Sequence, residues 1–219
     1  ASRAKFINSA KSFMSQYGFD GIDIDWEYPK SEPRVNPVKI TCEQFRTVND
    51  HGGSSADTQN IIDLFKEMRT GLPGASISLA SQANLDKAKD QSVDKIHPYL
   101  DYFHLMVYDF TVSDVPGGTM FAPNAPLYNP PAPSPAMSID YTVQGYLAMG
   151  VPAAKLQVGV AYYGHTWFNP SLTSDQWQKF GGKLGQVQGE CCGVFKTTTG
   201  AKPGKGSGLC GSMMYSEIV

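Results

Sequence analysis

The stretch Asp20-Gly21-Ile22-Asp23-Ile24-Asp25-Trp26-Glu27 constrains this chain more than any other part of it. In an extended strand successive side chains point to opposite faces, so Asp23, Asp25 and Glu27 share one face while Ile22, Ile24 and Trp26 occupy the other. With ~3.3 Å of rise per residue, neighbouring carboxyl positions lie about 6.6 Å apart at their Cα atoms, close enough for their titrations to couple. A strand inside a parallel sheet is ordinarily apolar on both faces. Acid at alternate positions therefore points to chemistry: like-charged neighbours and partial desolvation raise the pKa of one carboxyl, which suits it to deliver a proton near neutral pH. Glu27, at the C-terminal end of the strand where α/β active sites lie, is the candidate donor.

Two plainer readings fit less well. A solvated edge strand would tolerate the acids, but Phe19, Ile22, Ile24 and Trp26 ask for burial on the other side. A calcium loop starting at Asp23 needs Gly at its sixth position and Glu at its twelfth, where Tyr28 and Arg34 stand. Nor is a metal site or cofactor implied elsewhere. Cys42, Cys191, Cys192 and Cys210 lack the paired spacing of zinc ligands, and His51, His97 and His104 show no ligand spacing and read as structural or surface residues.

Strand and helix patterns alternate along the chain. Phe6, Ala10, Phe13, Met14 and Tyr17 recur at helical spacing over Ser2 to Tyr17, with Gly18 as the stop, and feed into the acidic strand. A polar, Pro- and Gly-containing loop from Tyr28 to Ser55 has the length of an active-site rim. Further helices are predicted around Ile61 to Met68, Ser92 to Leu100 and Ser138 to Met149, and further strands at Ser76–Ala80, Tyr102–Asp109 and Leu156–Tyr163. A Pro-rich loop separates Phe110 from Met137. This rhythm implies parallel strands with crossover helices, an α/β fold. It stops after Gly164, where a Gly-, Lys-, Ser- and Thr-rich segment begins.

The motif Asp-Gly-x-Asp-x-Asp-x-Glu, continued as Trp26-Glu27-Tyr28-Pro29, resembles the catalytic signature of glycoside hydrolase family 18, the chitinases and their relatives. That resemblance implies a (β/α)8 barrel with the signature on its fourth strand. The four visible strands would then be strands four to seven of a partial barrel over residues 1–165, followed over 166–219 by the start of an α+β module that some chitinases insert after strand seven. Strands one to three and eight have no counterpart. On this reading Leu79, Met106 and Val158 are expected to face inward, and the isolated chain is expected to pack loosely or aggregate.

The resemblance also assigns roles. Family 18 enzymes retain configuration and use the substrate's own 2-acetamido oxygen as nucleophile. Glu27 would be the acid and then the base toward water, Asp25 would orient the acetamido group and stabilise the cyclised intermediate, and Asp23 would share a proton with Asp25. Tyr28 joins the substrate-binding candidates. A second family motif, Met-x-Tyr-Asp, is matched by Met106, Tyr108 and Asp109, the last two holding the acetamido group; as a plain alternative, Met106 and Tyr108 are core residues at period two. Tyr163, within Tyr162-Tyr163-Gly164-His165, would line the sugar site, with His165 where the family commonly has arginine. Trp167 and Trp177 serve either as sugar platforms or as the core of the inserted module.

The implied activity is endochitinase-type hydrolysis of β-1,4-linked N-acetylglucosamine polymers. The alternatives are an endo-β-N-acetylglucosaminidase acting on N-glycans and a non-catalytic chitin-binding, lectin-like protein. Chitin or chitooligosaccharides would be the partner and the full-length protein a monomer. Of 219 residues, 41% are apolar and only 17% charged, with a net charge of −2, so no basic face for nucleic acid is visible and no run is suited to a membrane. Three cysteines within the late Gly-rich segment suggest disulfide bonding and a secreted protein.

Overall fold

A computed structural model of the chain describes residues 2–30, 53–110, 123–129, 137–165 and 212–214. The chain divides into two compact units. The first comprises Ala1–Val38, Arg46–Met106 and Thr142–Gly159; the second comprises Lys39–Phe45, Val107–Tyr141 and Val160–Val219.

Within the first unit, α1 (Ser2–Tyr17) ends at Gly18, whose φ of +73° is a conformation that glycine adopts without a Cβ clash. The chain then enters β1 (Gly21–Ile24), α2 (Asp57–Gly71) and β2 (Ser76–Gln82). After β2 come α3 (Leu85–Asp90), the single turn α4 (Val93–Ile96), β3 (Tyr102–Met106), the Thr142-onward part of α5 (Ile139–Ala148) and β4 (Leu156–Val158). The four strands form one parallel sheet in the order β1-β2-β3-β4.

Register divides the sheet into two unlike faces. Ile22, Ile77 and Leu79 pair along one face with Phe103 and Leu105. There Ile77, Leu79, Phe103 and Leu105 are fully buried, as are Ile61, Phe65 and Met68 of α2, Val93 and Ile96 of α4, and Tyr146 of α5. Each such side chain contributes roughly 1.5 to 3 kcal/mol when taken from water. The opposite face carries Asp23, Ser78, Ala80, Gln82, His104 and Met106. The expectation that Leu79, Met106 and Val158 share an inward face is corrected here. Leu79 and Val158 register with Phe103 and Leu105, on the apolar face, and only Met106 lies on the acidic one.

Gly21 is required where it stands. A Cβ at this position would come within 2.5 Å of the Ser76 carbonyl oxygen, so β1 and β2 approach as they do because no side chain intervenes. A buried polar network braces the far end of β2. Ser81 Oγ donates to Gln91 Oε1 at 3.0 Å and lies 2.6 Å from the Tyr146 hydroxyl, which donates to the Gln82 carbonyl at 2.7 Å. Thr142 Oγ1 donates to the Ala83 carbonyl at 3.0 Å.

In the second unit a short antiparallel pair joins β5 (Tyr163–His165) to β6 (Ser212–Met214). The predicted strand Leu156–Tyr163 is thus two strands: β4 ends at Val158 and the chain re-enters a different sheet at Tyr163. Two other boundaries are corrected. The hydrogen-bonded part of the acidic strand ends at Ile24, because beyond it β2 offers Asp25 to Glu27 no ladder partner, and the strand at Tyr102 ends at Met106. Apart from β6, the proposed module at 166–219 lies outside the described residues, together with Trp167, Trp177 and all four cysteines.

Candidate active site

The acids of β1 alternate as the sequence requires. Asp23, Asp25 and Glu27 are exposed, whereas Ile22, Ile24 and Trp26 are half-buried, so the period of two persists past the last ladder bond. Asp23 is held from two neighbouring strands. Ser78 Oγ donates to its Oδ1 at 2.6 Å, and His104 Nε2 lies 3.7 Å from the same oxygen. His104 therefore belongs to the acid-bearing face, as a part-exposed residue in keeping with its reading as a structural or surface one. The available signal was parity: His104 and Met106 are two apart on one strand and must share a face.

Glu27 is joined to Tyr28 by a cis peptide bond. The Tyr28 phenol is half-buried; burial first, then hydrogen bonding and proximity to the Glu27 carboxylate, raise its pKa well above the ordinary tyrosine value, while a hydrogen bond with Gln82 opposes them. The signs fix the directions: Tyr28 donates to Glu27 and accepts from the Gln82 amide. Gln82 is a further contributor that sequence reasoning passed over, and it pairs in register with Met106. Just beyond, the Lys30 amide donates to Asp57 Oδ2 at 3.2 Å and Lys30 Nζ pairs with Asp90 at 3.1 Å, anchoring the chain that leaves the site to α2 and α3.

The remaining candidates form a cluster in the second unit. The Tyr163 hydroxyl donates to Asp109 Oδ2 at 2.6 Å, and its ring meets Tyr108 edge-on with centroids 6.1 Å apart. Burial and the Asp109 carboxylate push the Tyr163 phenol well above its ordinary value. A carboxylate bonded to one phenol, with a second tyrosine ring packed edge-on against that phenol's ring, combines acceptor and donor groups in one cluster. The side chain of His165 lies outside the described residues.

Acids on the polar face of a parallel sheet, a donor-held Asp23 and a phenol bonded to Glu27 are the setting of a carboxylate-based hydrolytic site. Residues 1–206 match the family described as Glycosyl hydrolases family 18. The chain belongs to that family. It is 34% identical over 170 residues to Probable chitinase 2 of Drosophila melanogaster, a match covering 75% of this chain and 30% of that protein. It is 33% identical over 182 residues to Chitinase A1 of Niallia circulans, covering 76% of this chain and 24% of that protein. Among solved structures, a mutant of the Ostrinia furnacalis Group II chitinase catalytic domain 2 in complex with penta-N-acetylchitooctaose superposes with a TM-score of 0.68 at 27% identity. That match covers 99% of this chain and 49% of the other. The chain thus spans about a quarter to a third of the length of these two curated relatives. The α/β fold of this family-18 chain agrees with the parallel sheet and its covering helices.

Proposed function

We propose that this chain carries the acid-bearing part of a chitinase, a glycoside hydrolase that cleaves β-1,4-linked N-acetylglucosamine polymers with retention and with help from the substrate. The observation that carries this reading is the exposed Asp23, Asp25, Glu27 series beside Ser78, in a chain matched to family 18. Chitinase relatives and a chitooligosaccharide-bound structural neighbour support the substrate class. In the proposed reaction Glu27 gives its proton to the glycosidic oxygen as the bond to the anomeric carbon breaks, and the acetamido oxygen closes on that carbon. Asp25 accepts the acetamido N–H and balances the positive charge of the cyclised intermediate; Asp23 shares a proton with it. Glu27 then takes a proton from water, which opens the ring with net retention. Tyr108 and Asp109 hold the acetamido group in attack geometry, and Tyr28, Met106 and Tyr163 complete the sugar contacts.

The same reading places residues 1–165 in a partial (β/α)8 barrel and 166–219 in an inserted module, and makes the protein a secreted endochitinase. Glu27→Gln in the natural polypeptide tests it. An amide keeps the shape but has no proton to deliver, so turnover of a chitooligosaccharide falls by roughly 100 to 10,000-fold while binding survives. Wild-type turnover in this variant overturns the assignment.

A further inference from the structure

The turn that carries Tyr108 and Asp109 takes an uncommon backbone conformation. Asp109 has φ of +59°, in the left-handed region where a Cβ crowds the following carbonyl. Asn124 secures this turn through two bonds. Its Oδ1 accepts the Asp109 N–H at 2.7 Å, and its main-chain carbonyl accepts the Phe110 N–H at 3.1 Å. Two successive amides of one turn are thereby fixed by a single residue. The Asp109 carboxylate is fixed separately by the Tyr163 hydroxyl.

We propose that Asn124 is a positioning residue for Tyr108 and Asp109, setting the direction of both side chains by clamping the backbone between them and Phe110. This rests on the reading that these two residues hold the acetamido group. Asparagine suits the task because it supplies a neutral acceptor. A carboxylate in its place would accept the same bond but put a second negative charge beside Asp109. The group that attacks belongs to the substrate, so a small error in the direction of Tyr108 or Asp109 misaligns the nucleophile and is felt in kcat more than in KM.

The test compares Asn124→Ala and Asn124→Asp with the wild type in the natural polypeptide, each checked for an unchanged denaturation midpoint. Amide hydrogen exchange reads the clamp directly. In Asn124→Ala the Asp109 amide loses its acceptor and exchanges faster, whereas the Phe110 amide, bonded to a main-chain oxygen, stays protected. The expected cost is ~10 to 100-fold in kcat with a smaller change in KM, partly restored in Asn124→Asp, which keeps the acceptor. Unchanged exchange at Asp109 or an unchanged kcat in Asn124→Ala, or an Asp109 amide left unprotected in Asn124→Asp, overturns the proposal. Glu27→Gln in the same assay separates the two claims: if it retains turnover the chemical reading fails, while the exchange data still decide whether Asn124 holds the turn.

Discussion

Ser78 Oγ donates a 2.6 Å hydrogen bond to Asp23 Oδ1, joining β2 to the acidic face of β1. The two residues are register partners, so the bond follows from strand alignment rather than from a long reach. Ser78→Ala removes the donor and frees the Asp23 carboxylate to rotate. Asp23 is half exposed, so the stability loss falls below the usual range for a charged hydrogen bond, to about 1 kcal/mol by urea melt. On the proposed mechanism, in which Asp23 shares a proton with Asp25, turnover of a chitooligosaccharide should fall by ~10-fold. Ser78→Thr keeps the hydroxyl and most of the activity; equal losses in both variants would mean that packing, not the donor, is what matters.

His104 makes a useful contrast. Its Nε2 lies 3.7 Å from Asp23, and both side chains are more than a third exposed. Solvent screens such a pair, so His104→Asn should change stability by less than ~0.5 kcal/mol, with the difference shrinking in added salt. A loss several times larger, insensitive to salt, would show that His104 is bound into the sheet by something other than charge.

Acid stability should depend on two carboxylates away from the proposed catalytic acids. Burial alone would raise Asp101, but hydrogen bonds from Arg69 and from the Ile77 amide outweigh it and hold the carboxyl below the usual aspartate value. Asp57 is likewise lowered against its burial by the Ser54 and Lys30 amides and the Ser54 hydroxyl. A group with a depressed folded-state pKa contributes stability above its unfolded value, near 3.9, and that contribution is lost as pH falls through the folded value. Denaturation midpoints should therefore fall below about pH 4, and Asp101→Asn should be less stable at pH 7 but lose less on acidification. A variant whose acid limb matches that of the wild type would remove Asp101 from the account.

Much of this was legible in the chain because it depends on parity. Once Ile22, Ile24 and Trp26 are assigned to one side, Asp23, Asp25 and Glu27 have no choice, and the same rule applied to β3 places His104 with Met106. Leu79 and Val158 are misplaced because alternation says which residues of one strand share a face, but not how the faces of one strand line up with those of the next. Only the inter-strand register supplied that. Gln82 and Asn124 were missed for another reason: an amide at the end of a strand or in a loop carries no periodic signal, and its role exists only once its partner is in place. Gly18, with φ of +73°, stops its helix where the sequence places it, since that signal is local.

Gly21 gives a sharper test of the approach between β1 and β2. Any side chain there meets the Ser76 main chain, which cannot rotate aside as a flexible side chain would. Gly21→Ala should cost ~1 to 3 kcal/mol through forced separation of the two strands. It should also weaken the Ser78 to Asp23 bond, so activity falls with stability. A fully stable and active variant would mean that β1 and β2 are farther apart than described.

Behind β2 lies a buried polar network centred on Tyr146. The Tyr146 hydroxyl is fully buried, raised well above its ordinary value by that burial, and shared between Ser81 and the Gln82 carbonyl. Tyr146→Phe keeps the ring, whose edge packs on Phe103 at 6.1 Å, but leaves the Gln82 carbonyl without this donor. Gln82 is only part-buried, so loss of this bond costs ~1 kcal/mol and the midpoint of denaturation should fall accordingly. The same residue carries the amide that bonds Tyr28, so slackening its backbone should reach the Tyr28 contact to Glu27. If that coupling operates, Tyr146→Phe lowers kcat well below the melting transition while Gln82→Leu lowers it further. If the chain through Gln82 carries nothing, Tyr146→Phe is less stable yet turns over substrate at the wild-type rate.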